Sequence, residues 1–249
     1  MNIPKLIMFD LDGTLAESKQ PLTSEMAELL TRLLDTTRVA VISGGALPQF
    51  LSQVVEQLPS EANLSNLYLL PTSGAGLYEY TNGEWKKIYE ERLSEKEAQN
   101  IKTVMRDAGT TLGLIDFSQP AYGEHIEYRG AQVTLSALGQ RAPIDEKMAW
   151  DPDRTKRAAL HAHISKHLPT FSVKIGGKTS IDVTKQNIDK AYGIHKLCER
   201  ISVPESDTLY VGDELRSGGN DEAAYKTAVQ THPVTNPEDT MKLIRELVS

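Results

Sequence analysis

The residues best placed to do chemistry stand near the start of the chain. Asp10-Leu11-Asp12-Gly13-Thr14 follows directly on the apolar run Lys5 to Phe9, which reads as a buried parallel strand. Two carboxylates two residues apart at a strand end can face one site while Gly13 permits a sharp turn, and neither is needed for packing. One can act as a nucleophile. The other is then placed to protonate a leaving oxygen and afterwards to activate water. The competing reading is a solvated turn carrying an Asx cap.

The surrounding pattern says what must position them. Thr23 or Ser24 can cap a helix whose Met26, Leu29, Leu30, Leu33 and Leu34 recur at helical spacing. A second buried strand from Arg38 to Ile42 ends at Ser43-Gly44-Gly45, and a helix from about Leu47 to Leu58 follows. This rhythm predicts an α/β domain with a parallel sheet, whose ligands sit beyond the carboxyl ends of the strands, so the site collects at Asp10 and Ser43.

The texture changes after Tyr80. Thr81-Asn82-Gly83 is a turn, and Ser94 with Glu97 forms a capping box for a helix with Ala98, Ile101, Val104, Met105 and Ala108 on one face, stopped by Gly109. Alternating runs then predict strands at about Thr111 to Phe117, His125 to Arg129 and Gln132 to Ala137. A helix from about Asp153 to Leu168 and strands at Phe171 to Ile175 and Thr179 to Val183, around Gly176-Gly177, complete the block. Residues 83–186 thus read as an inserted α+β domain within a core of residues 1–82 and 187–249. The parallel pattern resumes with a helix near Asp189 to Arg200, a strand Thr208 to Val211, a Gly-rich turn and a last helix from about Pro237 to Leu247.

Composition narrows the classes. The 249 residues carry 27 Lys+Arg against 34 Asp+Glu, a formal charge of −7, which argues against a nucleic-acid binder. With 39% hydrophobic and 24% charged residues, the chain has an ordinary globular balance. No apolar stretch approaches the ~20 residues of a membrane span, and the N-terminus lacks a signal-peptide layout. The expectation is a soluble, cytoplasmic protein without membrane or nucleic-acid partners. Cys198, the one cysteine, reads as a buried small apolar residue. His161, His163 and His167 read as surface residues, Tyr78, Tyr80 and Trp85 as packing, and no Walker or dinucleotide fingerprint occurs.

The Asp10 motif with its preceding strand resembles that of the haloacid dehalogenase superfamily of phosphotransferases, and further motifs extend the likeness. Ser43 ends the next core strand, Lys190 in Asn187-Ile-Asp-Lys190 opens a later helix, and Gly212-Asp213-Glu214 with Gly218-Gly219-Asn220-Asp221 supplies the acidic cluster. The resemblance implies a Rossmann-like core with an inserted cap and transfer through an aspartyl phosphate on Asp10, with Asp12 as general acid/base. A carboxylate attacking a phosphoryl group meets like charge, and Mg²⁺ is the hard ion suited to screening it. By the resemblance Asp10 and Asp213 bind it through carboxylates and Asp12 through its carbonyl, while Asp221 ligates through water or from behind. Ser43 and Lys190 hold the transferring oxygens, and Asn220 either contacts the phosphate or caps its helix.

A closer likeness, to the eukaryotic-type phosphomannomutase branch of the Cof-type subfamily, runs along almost the whole chain. Its carriers are His125-Ile-Glu-Tyr-Arg129-Gly, Gly139-Gln-Arg141-Ala-Pro143, Gly176-Gly-Lys-Thr-Ser180-Ile-Asp182-Val and the Gly212 to Asp221 loop. In that family cap arginines grip a hexose phosphate and a Ser and an Asp contact the sugar. Arg129, Ser180 and Asp182 match directly, Arg141 and Lys147 nearly so, and Lys19 and Gly44 join the substrate-contacting set. Lys19, Gln140 and Lys147 fall where the family carries arginine, and Lys lacks the planar fork of Arg. Retained chemistry with an altered cap favours a Mg²⁺-dependent phosphohydrolase of a small sugar phosphate. The alternative is a phosphohexomutase, and a more distant one a phospho-Asp signalling receiver. A sugar-binding module without catalysis is the remaining class. A homodimer is compatible with these readings.

Overall fold

The computed structural model describes residues 3–249. By compactness the chain divides into two units, one made of residues up to Glu90 together with Asp189–Ser249, the other of Glu91–Ile188. In the first unit come strand β1 (Leu6–Phe9), helix α1 (Ser24–Leu34), β2 (Arg38–Ile42), α2 (Leu47–Gln53), β3 (Leu67–Leu70), the one-turn α3 (Pro71–Gly74), β4 (Gly76–Thr81) and β5 (Glu84–Glu90). The second unit contains α4 (Glu95–Thr111), β6 (Ile126–Tyr128), β7 (Gln132–Ser136), α5 (Ile144–Trp150), α6 (Thr155–His167), β8 (Phe171–Ile175) and β9 (Ser180–Lys185). The chain then returns to the first through α7 (Lys190–Ile201), β10 (Thr208–Gly212), a 3-10 turn at Glu222–Lys226, β11 (Gln230–Pro233) and α8 (Pro237–Leu247).

The first unit is built on a seven-stranded sheet in the order β11-β10-β1-β2-β3-β4-β5. It is parallel from β11 to β3, and β4 and β5 join antiparallel. Leu6, Ile7, Met8 and Phe9 are all fully buried, as a strand covered on both faces must be. Ile7 and Phe9 pack with Met26, Leu30 and Leu33 of α1 and Ile244 of α8; Leu6 and Met8 pack on the opposite face with Ile194 and Leu197 of α7. Cys198 is buried in that second layer. Phe9 lies beside both Val41 and Val211, so the loops that begin at Asp10, Ser43 and Asp213 leave the same end of the parallel strands. Among the described residues no helix is long and apolar enough to cross a membrane.

The second layer contains a close backbone approach. A Cβ at Gly193 in α7 would lie 2.8 Å from Gly74 Cα and 2.9 Å from Ile42 Cδ1, so only glycine lets α7 sit this near to the turn after β3. Gly193→Ala is expected to cost about 1–3 kcal/mol through forced backbone displacement. Urea unfolding measures it, and an unchanged midpoint would contradict the close approach.

The core reaches further into the chain than residue 82. Asn82 and Gly83, with φ of 55° and 83°, form the two-residue turn of a hairpin, and β5 pairs with β4 from Glu84 to Glu90. The compact units therefore part at Glu90, where the sequence pattern puts the division at the turn itself.

The second unit has a four-stranded antiparallel sheet in the order β6-β7-β9-β8. Val133, Leu135, Ile181 and Val183 face Ile101 and Met105 of α4 and Leu160 and Ile164 of α6 in one apolar cluster. Ser94 and Glu97 make the capping box of α4 in full. Gly109 does not stop this helix, which continues to Thr111. A Cβ there would meet Phe117 Cε2 at 2.8 Å, so the glycine serves the packing of Phe117. The segment from Thr111 to Phe117 is consequently a helix end and loop, not the strand its alternation suggests.

Candidate active site

Each acidic loop is shaped by the residue types around it. Gly13 has φ of 93°, and a Cβ on it would fall 2.5 Å from Asp213 Oδ2. Glycine is required there both for the turn and for room beside the carboxylate. A Cβ on Gly212 would likewise fall 2.5 Å from Asp221 Oδ2. Thr14 Oγ1 donates to Asp213 Oδ1 at 3.4 Å.

Around Asp10 the side chains are dry. Asp10 and Lys190 are each 2% exposed and Asp221 is 0% exposed. Lys190 Nζ donates to Asp10 Oδ1 at 2.5 Å and to Asp221 Oδ1 at 2.6 Å. Lys190 stands at the first position of α7, whose N-cap Asp189 accepts from Tyr192 N, so the helix start fixes where the ammonium emerges. Burial, reinforced by Asp221 and Asp213, holds the Asp10 carboxyl well above its ordinary value although Lys190 opposes this. For Lys190 burial disfavours charge, but Asp10 and Asp221 outweigh it and hold the ammonium above its usual range. The Asp213 carboxyl is pushed up to about 6 by burial and by the neighbouring Asp221. Asp10, Asp213 and Asp221 offer carboxylate oxygens all within 4.8 Å of one another, the arrangement among the described residues that could hold a metal ion.

Asp12 has separate partners. Its oxygens accept from Lys19 N at 2.6 Å, Lys19 Nζ at 2.8 Å and Gln49 Nε2 at 3.2 Å, and Lys19 Nζ also donates to Gln49 Oε1 at 2.8 Å. Burial raises the Asp12 carboxyl, but the Lys19 charge and these hydrogen bonds prevail and leave it below its ordinary value. The two strand-end carboxyls are thus driven apart, the pattern expected of groups with different roles in proton transfer.

Ser43 is buried at 4% exposure, and its loop is braced from behind. Ser73 N donates to Ser43 O and Thr72 N to Gly45 O, each at 2.8 Å. Thr72 and Ser73 have φ of 52° and 59°, a left-handed pair of non-glycine residues that costs strain and needs its surroundings to hold it. Gly44 lies in the braced loop. Asn220 Oδ1 is buried and has no hydrogen-bond partner.

Within the second unit the sheet face opposite α4 and α6 is polar. Thr134 Oγ1 donates to Asp182 Oδ1 at 2.7 Å, and the Ser136 and Ser180 hydroxyls lie 3.2 Å apart. Arg129 donates through Nε and Nη2 to Glu127 Oε2 at 2.9 and 2.7 Å, and through Nη2 to Gln140 Oε1 at 3.0 Å. Lys147 Nζ reaches Gln140 O at 3.2 Å. Arg141 diverges from this group: it is exposed and its guanidinium lies over Gly123. The structure therefore gathers Arg129, Lys147, Ser180 and Asp182 about one sheet and leaves Arg141 at its margin. Sequence reading missed Gln49, Glu127, Thr134 and Tyr210. None carries a motif signal, since each type is ordinary on a helix, a sheet face or a core strand.

Comparisons with known proteins extend the picture. The model of the family described as eukaryotic phosphomannomutase matches residues 26–249, so the Asp10 loop lies outside the matched span and rests on its own geometry. The chain is 28% identical to a phosphomannomutase of Dendrobium officinale over 246 residues, covering 94% of this chain and 90% of that one. With the phosphomannomutase of Saccharomyces cerevisiae it shares 25% over 249 residues, covering 97% and 93%. In fold it is similar to a haloacid dehalogenase-like hydrolase from Bacteroides thetaiotaomicron, with a TM-score of 0.67 at 17% identity, covering 98% of this chain and 99% of that one. It is similar also to an N-terminally truncated, IMP-bound IMP-nucleotidase of Plasmodium falciparum, with a TM-score of 0.71 at 15% identity, covering 98% and 68%. The family match spans most of both units, and with it the chain belongs to the eukaryotic phosphomannomutase family and is a phosphotransferase-type enzyme, in a fold like that of the haloacid dehalogenase-like hydrolase.

Proposed function

We propose that the protein is a phosphohexomutase that interconverts the 1- and 6-phosphates of mannose or glucose through a phosphorylated Asp10. The observation that carries this reading is the family match over residues 26–249, supported by a buried carboxylate at a strand end with an ammonium 2.5 Å away. It replaces hydrolysis, which the altered cap favours when the sequence is read alone.

Phosphorylated Asp10 gives its phosphoryl group to the free hydroxyl of a hexose monophosphate, whose proton passes to the Asp12 carboxylate. The resulting bisphosphate turns over in the site. Asp10 then attacks the other phosphorus, the P–O bond to the sugar breaks, and Asp12 returns the proton to the leaving oxygen. Lys190 and Ser43 hold the transferring oxygens. Lys19 and Gln49 orient Asp12, while Gly44 and Asn220 line the phosphate position. By the family likeness, Arg129, Arg141, Lys147, Ser180 and Asp182 would be the residues of the second unit that bind the sugar phosphate.

Mg²⁺ fits the donors present, because the acidic cluster offers only oxygen, and burial together with the neighbouring Asp221 raises the Asp213 carboxyl. Asp10 and Asp213 would hold it through carboxylates and Asp12 through its carbonyl, with Asp221 behind them. Bound there, the ion screens the charge between the nucleophile and the phosphoryl group. Since Asp213, and with it the raised Asp10, must lose its proton to bind metal, Mn²⁺ or Mg²⁺ affinity is expected to fall at least about tenfold per pH unit below about 6. Calorimetric titrations at pH 5, 6 and 7.5 measure this; equal affinity at all three would contradict the assignment.

Hydrolysis remains the second reading because Gln140, a neutral amide that by the resemblance falls where the family carries arginine, lies against Arg129. A face with one cation fewer retains a bisphosphate less well while it turns. The test supplies mannose 1-phosphate or glucose 1-phosphate with Mg²⁺, with and without catalytic hexose 1,6-bisphosphate, and follows the 6-phosphate isomer and free phosphate. Isomer that depends on the bisphosphate is expected. Phosphate release without isomer would overturn the mutase reading.

A further inference from the structure

Tyr210 belongs to no motif, yet its hydroxyl enters the buried charge network from the core side. It sits on β10, beside Met8 of β1 and Thr231 of β11, and is fully buried among Leu6, Met8 and Ile194. Its phenol oxygen donates to Asp221 Oδ1 at 2.5 Å. The same oxygen takes the Lys190 ammonium at 2.6 Å, while Oδ2 accepts Glu214 N at 3.0 Å. Asp221 is therefore tied by a strand, a helix and a loop, with 0% of its surface exposed. The Lys190 ammonium also stands 5.9 Å from the centroid of the Tyr210 ring, within reach of its negative face. Burial, with Asp221 and Asp10 alongside, keeps the phenol protonated and hence a donor.

This arrangement bears on how Lys190 divides its charge. The ammonium is shared between Asp10 and Asp221 at nearly equal distances. In a dry site a carboxylate oxygen with one donor binds that donor more strongly than one with two, because the second donor draws off part of its negative charge. The Tyr210 hydroxyl thus weakens the pull of Asp221 on Lys190 and leaves the ammonium close to Asp10.

We propose that Tyr210 is a positioning residue, whose hydroxyl fixes Asp221 and through it sets the Lys190 ammonium against the oxygens on Asp10. The inference rests on the reading of Asp10 as phosphoryl acceptor. Its test is Tyr210→Phe, which deletes one oxygen. Beryllofluoride, which mimics the phosphoryl group on a carboxylate, serves as probe of the Asp10 adduct by ¹⁹F NMR.

The expected result is a loss of about 10-fold to 100-fold in both kcat and beryllofluoride affinity, with KM for hexose 1-phosphate within about twofold and circular dichroism unchanged. A merely structural tyrosine would lower the melting temperature and leave the adduct as tight as in the parent. p-Fluorophenylalanine at position 210 fills the hydroxyl's volume without a donor and secures the test should the Phe variant not fold. p-Aminophenylalanine restores a donor and is expected to restore the adduct. Adduct and kcat unchanged in both donor-less variants would overturn the proposal. An unmodified protein that neither forms the adduct nor transfers phosphate would overturn it together with the reading beneath it, so the two failures are told apart.

Discussion

Asp10→Asn is expected to lower phosphoryl transfer at least about 1,000-fold, the effect of deleting a nucleophile whose partners remain in place. The amide keeps the shape of the carboxyl and can still accept from Lys190, but it cannot attack phosphorus. The fold should survive and even gain. Burial and the neighbouring carboxylates hold the Asp10 carboxyl above its ordinary value, so its ionised form destabilises the native state at every pH above the unfolded value, and a neutral group removes that cost. Steady-state assay with Mg²⁺ and a thermal melt without it measure the two halves. Retention of more than a few per cent of activity, or a collapsed melting temperature, would contradict the assignment.

Lys190→Met is expected to be the most destabilising single change at the site. Lys190 is 2% exposed and is the cation between Asp10 and Asp221. Methionine retains part of the stem but leaves two buried carboxylates facing each other, and breaking a buried pair from one side costs about 3–5 kcal/mol. The sign of the pH dependence follows. Without the ammonium the Asp10 carboxyl, already held above its unfolded value by burial, is raised further, so the penalty is full well above neutrality and shrinks as the pH falls and Asp10 takes up its proton. Urea unfolding at pH 8 and pH 5 therefore gives a large deficit at the first and a smaller one at the second. A deficit under about 1 kcal/mol at pH 8, or one that grows on acidification, would exclude a buried, ion-paired Lys190.

The parts of the fold and site readable in the sequence are those where composition itself is constrained by physics. A parallel strand covered on both faces must be an apolar run, so Leu6–Phe9 and the Val39–Ile42 part of the second strand announce themselves, and the charged Asp10 at the end of the first is not needed for packing. Lys190 and Asp221 were visible by position in a known order of motifs, although nothing local distinguishes them from a solvated lysine or an Asx turn. Asp12 was visible, but its lock onto Lys19 and Gln49 depends on Lys19 adopting φ of 63°, which no pattern encodes. Tyr210 was hidden because a tyrosine in a core strand reads as apolar packing, and only the three-dimensional approach of Asp221 gives its hydroxyl a purpose. The Asn82-Gly83 turn misled for a related reason: a two-residue turn marks a hairpin as readily as a domain boundary, and which of the two it is depends on where β5 finds its partner. Gly109 illustrates the same limit, since a glycine needed for the contact with Phe117 looks like a helix stop.

The central claim is that phosphate is carried on Asp10. The direct measurement is to mix the enzyme and Mg²⁺ with ³²P-labelled hexose 1,6-bisphosphate, quench in acid within one turnover, and locate the label by peptide mapping at acid pH, where an acyl phosphate survives. The account predicts a base-labile acyl phosphate on the peptide that contains Asp10, absent from Asp10→Asn and discharged by hexose 1-phosphate with formation of bisphosphate. Label on another residue, or isomer produced with no covalent phosphate at any time, would contradict it.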